Sequence, residues 1–108
     1  MTTETNQMIG EVALAMVEHR IDLVAGARRI VELRHSSIGL PDELFSPIVG
    51  FESETEDWVA PEQRAKFAKA YLDRIDAQIT EYCNQASPSL LDACVRLLDA
   101  VRDQQKDR

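Results

Sequence analysis

Apolar residues in this chain recur three and four positions apart in one segment after another, and nowhere do they alternate over the length of a strand. That period lines up one face of a helix. Gly and Pro are scarce, four of each in 108 residues, which favours helix over sheet. The length suits one domain, residues 1–108, built around a single core. With 44% hydrophobic and 29% charged residues, the composition is that of a globular protein.

The first expected helix runs from about Thr3 to His19, with Ile9, Val12, Ala13, Met16 and Val17 as its stripe and Thr3 or Thr5 as its cap. The second runs from Asp22, a suitable N-cap, to Arg34, with Leu23, Val24, Ala27, Ile30 and Val31 facing inward and an Arg28–Glu32 pair outside. The two stripes are almost in phase, so one long helix bent near His19 to Asp22 is the alternative. His35 to Gly39 reads as a loop. Pro41 then opens a short helix that Pro47 ends after one or two turns, and an irregular connection follows through Trp58. A third long helix starts near Pro61, supported by a Glu62–Lys66 pair, and ends near Asn84 to Ala86. A fourth starts with Ser87 as cap and Pro88 behind it, carries an Asp92–Arg96 pair, and frays from Asp103 to Arg108. The expected fold is all-α: a small bundle of four main helices, the last two forming a hairpin. A short helix and an acidic loop are inserted between the second and third.

Charge is distributed unevenly along this pattern. The formal net charge is -7, and all of it comes from His35 to Gln63, where Asp42, Glu43, Glu52, Glu54, Glu56, Asp57 and Glu62 face no Lys or Arg. The rest of the chain nearly balances. An uncompensated acidic stretch steers a cationic protein toward it, whereas phosphate backbones are repelled, so nucleic acid is not the expected partner. Asp42, Glu43, Glu52, Glu54, Glu56 and Asp57 are therefore the candidate contact residues, with Trp58 as an aromatic anchor. Arg34 and His35, at the end of the second helix, are expected to hold the acidic loop in shape, and Phe51 and Trp58 to pin its two ends to the core. Arg28 and Arg29 are further cations within reach, and the bland reading is that Arg28, Arg29 and Arg34 simply neutralise the loop.

Catalytic chemistry finds little purchase. The Glu52 to Asp57 run has the right ligands for Ca²⁺ or Mg²⁺, but not the spacing of an EF-hand loop. An Arg34/His35 pair with these carboxylates would be the seed of a metal-binding regulator or small enzyme. Nothing else completes a nucleophile, base and oxyanion site. Cys83 and Cys94 lie on inner stripes and read as core thiols. No catalytic residue, metal ligand or cofactor is assigned. The N-terminus has neither the basic nor the apolar region of a signal peptide, and no apolar run reaches a membrane span of about 20 residues, so residence in the cytoplasm is expected.

The stretch Gly26-Ala-Arg-Arg-Ile-Val-Glu-Leu-Arg-His35, with Phe45 and Ile48-Val-Gly-Phe-Glu-Ser-Glu-Thr-Glu-Asp57, resembles a pattern in a family of small, uncharacterised, all-helical bacterial proteins. It covers about a third of the chain and implies no activity. In size, acidity and helical character the chain is also similar to bacterial toxin-immunity proteins, a likeness of type that no motif carries. What that likeness implies is a non-enzymatic protein that blocks a basic toxin domain. A homodimeric structural module is the other expectation.

Overall fold

The computed structural model describes residues 4–106, and among them it holds four α-helices, one 3₁₀ helix and no strand. The α-helices are α1 (Glu4–Val17), α2 (Leu23–Arg34), α3 (Asp42–Glu54) and α4 (Lys69–Lys106), and the 3₁₀ helix spans Pro61–Lys66. Each α-helix packs on two others: α1 on α2 and α4, and α3 on α2 and α4. The core is the meeting of their stripes, with Ile9, Met16, Ala27, Ile30, Phe45, Ile48 and Leu97 sealed at the centre. The all-α expectation holds. The division of the chain into helices differs from the one expected.

The first difference is small: α1 and α2 are separate, as expected, and not one bent helix, but α1 ends at Val17 rather than at His19. His19 takes a left-handed backbone, φ 59°, while its N–H donates to the Met16 carbonyl at 3.1 Å and that of Arg20 to the Ala15 carbonyl at 2.8 Å. This pair of bonds is a Schellman stop. Asp22 then starts α2, its carboxylate accepting from the Ala25 N–H at 3.1 Å. Of the two caps expected for α1, Thr3 lies outside the described residues and Thr5 lies inside the helix. Gly26 allows α1 and α2 to cross closely: a Cβ there would stand 2.5 Å from the Met16 side chain.

The second difference is at Pro47. It lies inside α3, which continues to Glu54 instead of ending after a turn or two. A mid-helix proline costs about 3 kcal/mol. Burying Phe45, Ile48 and Phe51, which are at most 3% exposed, returns about 1.5–3 kcal/mol each. The stripe outweighs the proline, whose ring sits on the exposed side. Thr55, fully buried, then closes the helix, its hydroxyl donating to the Phe51 carbonyl at 2.9 Å.

The third difference is the largest. No hairpin turn exists at Asn84 to Ala86, and Ser87 caps nothing: α4 runs unbroken from Lys69 to Lys106 with Pro88 inside it. Ile75, Ile79, Ala86, Leu90, Cys94, Leu97 and Val101 keep one phase along its length, so a turn would have torn a single stripe in two. Pro88, like Pro47, faces outward. Pro61–Lys66 forms only the 3₁₀ helix, tied back to α4 by an Arg64–Asp76 ion pair, which raises the arginine's pKa and lowers the aspartate's. Among the described residues Glu62 and Lys66 make no ion pair. Arg29, not Arg28, pairs with Glu32, and Asp92–Arg96 forms as expected at 3.0 Å.

A buried amide holds the α2–α3 loop. The Asn6 Nδ2 donates to the Ile38 carbonyl and to Gln104 Oε1, both at 2.8 Å, and its Oδ1 accepts from the Ile38 N–H at 3.2 Å. The loop that leads into the acidic helix is thereby fixed to both α1 and α4.

Burial pushes the Cys94 thiol up to about 11 and raises that of half-buried Cys83 as well. At pH 8 a thiol reagent should therefore modify Cys83 alone in the native protein and reach Cys94 only on unfolding; equal native rates at both would contradict this packing. In a Cys83→Ser background, spin labels at Ala70→Cys and Arg102→Cys should lie about 48 Å apart along one continuous helix. A separation nearer about 10–20 Å would restore the hairpin. Pro88→Ala should raise the free energy of unfolding by about 1–3 kcal/mol in urea titration, without loss of helical circular dichroism.

Candidate functional site

The acidic segment is mostly helix. Asp42 and Glu43 occupy the first turn of α3, where its positive end stabilises them. Glu52 and Glu54 fall in the last turn, where the helix dipole opposes them and no basic residue compensates. Glu56 and Asp57 follow in an exposed turn. Asp42, Glu43, Glu54, Glu56 and Asp57 are exposed and Glu52 is half-exposed. Among the described residues, none of these six carboxylates takes part in an ion pair; the pairs that form are Arg20–Glu18, Arg29–Glu32, Arg64–Asp76, Lys69–Asp73 and Arg96–Asp92.

The segment is held through its backbone. The Arg28 Nη2 donates to the carbonyls of Thr55 at 3.3 Å, Glu56 at 3.0 Å and Trp58 at 2.8 Å. Its guanidinium lies 4.9 Å from the centre of the Trp58 ring, within cation–π range. A cation from α2 thus gathers the carbonyls at the negative end of α3 and leaves the carboxylates free. Arg34 and His35, named for this anchoring, end α2 instead: the Arg34 carbonyl accepts from the Ser37 hydroxyl at 2.8 Å, and neither side chain bonds to the acidic residues. Phe51 does pin the segment. It is 3% exposed, and its ring lies 5.6 Å from that of Tyr82 on α4. Trp58 is half-buried, packed against the core and under the Arg28 guanidinium.

Two features escaped the sequence pattern. One is the choice of Arg28. It follows buried Val24 by four positions and borders the inward stripe of α2, whereas Arg29 falls on the solvent side; a helical-wheel comparison carries that signal. The other is a seam between α3 and α4. It contains two adjoining hollows of about 490 Å³ and about 330 Å³ that share Pro47 and Ser89. Glu43 and Glu54 stand at its two ends. No sequence signal marks it, because Ser87-Pro88 divides α4 into two expected helices.

Among the described residues no group of three or more His, Cys, Asp or Glu side chains is arranged to hold a metal ion. No helix among them is long and apolar enough to cross a membrane. Comparison with protein-family models, with curated proteins and with solved structures finds no match.

Arg28→Ala should destabilise the fold by about 1–3 kcal/mol, as the loss of charged hydrogen bonds to partly buried carbonyls does. It should also shift the emission of Trp58, the one tryptophan, to the red. Arg28→Lys should recover little, since an ammonium cannot stack on the ring and gather three carbonyls at once. Unchanged emission and stability in both variants would remove Arg28 from the anchoring role.

Proposed function

We propose that this is a non-enzymatic binding protein that presents the outer face of α3 and the turn after it to a basic protein. The observation that supports the reading is the set of carboxylates at Asp42, Glu43, Glu52, Glu54, Glu56 and Asp57, exposed or half-exposed and without ion pairs, while Arg28, which reaches the turn after α3, is committed to backbone carbonyls. Placing Glu52 and Glu54 at the negative end of α3 costs the free protein a few tenths of a kcal/mol each, a cost a cationic partner reverses on binding. Such rim charges act first on the rate of encounter and make it fall with salt. Blockade of a basic toxin domain, in the manner of an immunity protein, is the concrete form of this reading.

The test is capture by the immobilised protein from its own cells at low salt. Glu54→Lys combined with Glu56→Lys should reduce capture of its basic partner by about tenfold or more, and raising the salt to several tenths molar should do the same to the unmodified protein. Helical circular dichroism should not change, since both side chains are exposed and unpaired. Capture that ignores both the charge reversal and the salt would end the reading.

A further inference from the structure

The reading above leaves open what part of a basic protein this surface receives. The seam between α3 and α4 answers that. Its floor is apolar: Phe51, Leu90 and Ala93 are nearly sealed, and Leu44, Tyr82 and Ala86 are half-buried beside them. Its walls are low. Gly50 and Ser89 carry almost no side chain, and a Cβ built on Gly50 would meet nothing within 4 Å. Pro47 lies along the seam and supplies no N–H to the carbonyl one turn earlier. Two helices that approach with so little between them leave room for a third to lie close.

Charge sets the ends. Glu43 stands at one end of the seam and Glu54 at the other, eleven positions apart on α3 and so about 16 Å along its axis. The remaining charged residues on it, Asp92 and Arg96, pair with each other at 3.0 Å and cancel. The seam thus has Glu54 at one end, Glu43 beside the Asp92–Arg96 pair at the other, and its most apolar stretch between Pro47 and Phe51. Eleven residues also make close to three turns of helix, so two side chains that far apart share one face.

We infer that the α3–α4 seam receives an amphipathic helix of the basic partner, with Lys or Arg eleven positions apart meeting Glu43 and Glu54 and apolar side chains between them on the seam floor. This rests on the acidic-surface reading and narrows it: the same face is used, but with a defined register and an apolar centre. Helix-in-groove recognition supplies affinity through the apolar anchors, and the end charges fix the register.

The probe is an amidated helical peptide of about eighteen residues, otherwise Ala and Gln, with Lys at i and i+11 and Leu at i+4 and i+7. A control has the same composition with its lysines moved to the opposite face. Fluorescence anisotropy of the labelled peptides reads the affinity. The first peptide should bind, and the control about fivefold or more weaker. Gly50→Trp, which fills the seam from an exposed position, should weaken binding by about tenfold. Glu43→Lys and Glu54→Lys should each weaken it severalfold, and Glu56→Lys less. No binding, equal binding of the control, or an unchanged curve for Gly50→Trp would overturn the seam. If Gly50→Trp leaves the curve unchanged while Glu54→Lys with Glu56→Lys still abolishes partner capture, the seam falls and the acidic-surface reading stands. Sedimentation of the protein alone closes the remaining case: a dimer that Gly50→Trp dissolves would mean that a second copy, not a basic partner, fills the seam, and would also overturn the inference.

Discussion

Everything in this molecule is arranged along the unbroken apolar stripe of α4. The helix runs from Lys69 to Lys106, and the molecule is 53 Å long and little more than 20 Å across. The stripe from Leu90 through Cys94 and Leu97 to Val101 is almost wholly buried by α1 and α3. Toward the start of the helix, Ile75 and Ile79 are still 7% and 9% exposed, so burial declines but does not stop. A helix this long, with a proline in its interior, would not persist in water on propensity alone. Tertiary burial keeps it helical through Pro88, and the seam forms where this unbroken helix runs beside α3.

The acidic surface follows from a second arrangement. The C-terminal end of a helix is negative, and α3 ends with Glu52 and Glu54 and then Glu56 and Asp57. Ordinary stabilisation would bring a cation to those carboxylates. Arg28 is the cation in position, and it binds carbonyls and the Trp58 ring. The chain therefore fixes the backbone of this segment without consuming the side chains, which gives a surface that is pre-shaped and still charged. Preorganisation of that kind lowers the entropic cost of binding.

Much of this was legible from the residues, and the parts that were not share a physical cause. Helical period placed nearly every buried residue, because Ile9, Met16, Ile30, Phe45, Leu90 and Leu97 each sit where a 3.6-residue stripe demands. The break at His19 to Asp22 was open in the sequence, since a histidine in the left-handed region leaves no glycine signature. The two prolines misled for the opposite reason. Pro47 and Pro88 are strong local signals, and the pattern Asn84-Gln-Ala-Ser-Pro88 reads as a turn with a fresh cap. Yet local propensity is worth about 3 kcal/mol at most here, and the stripes on either side are worth more once buried. The phase of those stripes across Pro88 was present in the sequence; weighing it against the proline needed the packing. The acidic segment's charge was fully legible. Its anchor was not, because Arg28, Arg29 and Arg34 are equivalent as letters and differ only in which face of α2 they occupy.

That distinction also decides which residues on the acidic face matter. Trp58 was the natural anchor from sequence, as an aromatic beside carboxylates. In the fold it is half-buried, shared between Arg28 and the core, so most of its area is already spent. The apolar area still open to a partner lies instead along Leu44, Pro47, Gly50 and Ala86, residues of no chemical distinction. Contact energy in protein interfaces concentrates where apolar surface can be fully desolvated and charges sit at the rim. On this molecule those conditions meet between α3 and α4, with Glu43 and Glu54 as the rim. In the proposed reading, the turn at Glu56 and Asp57 steers a cationic partner toward the seam.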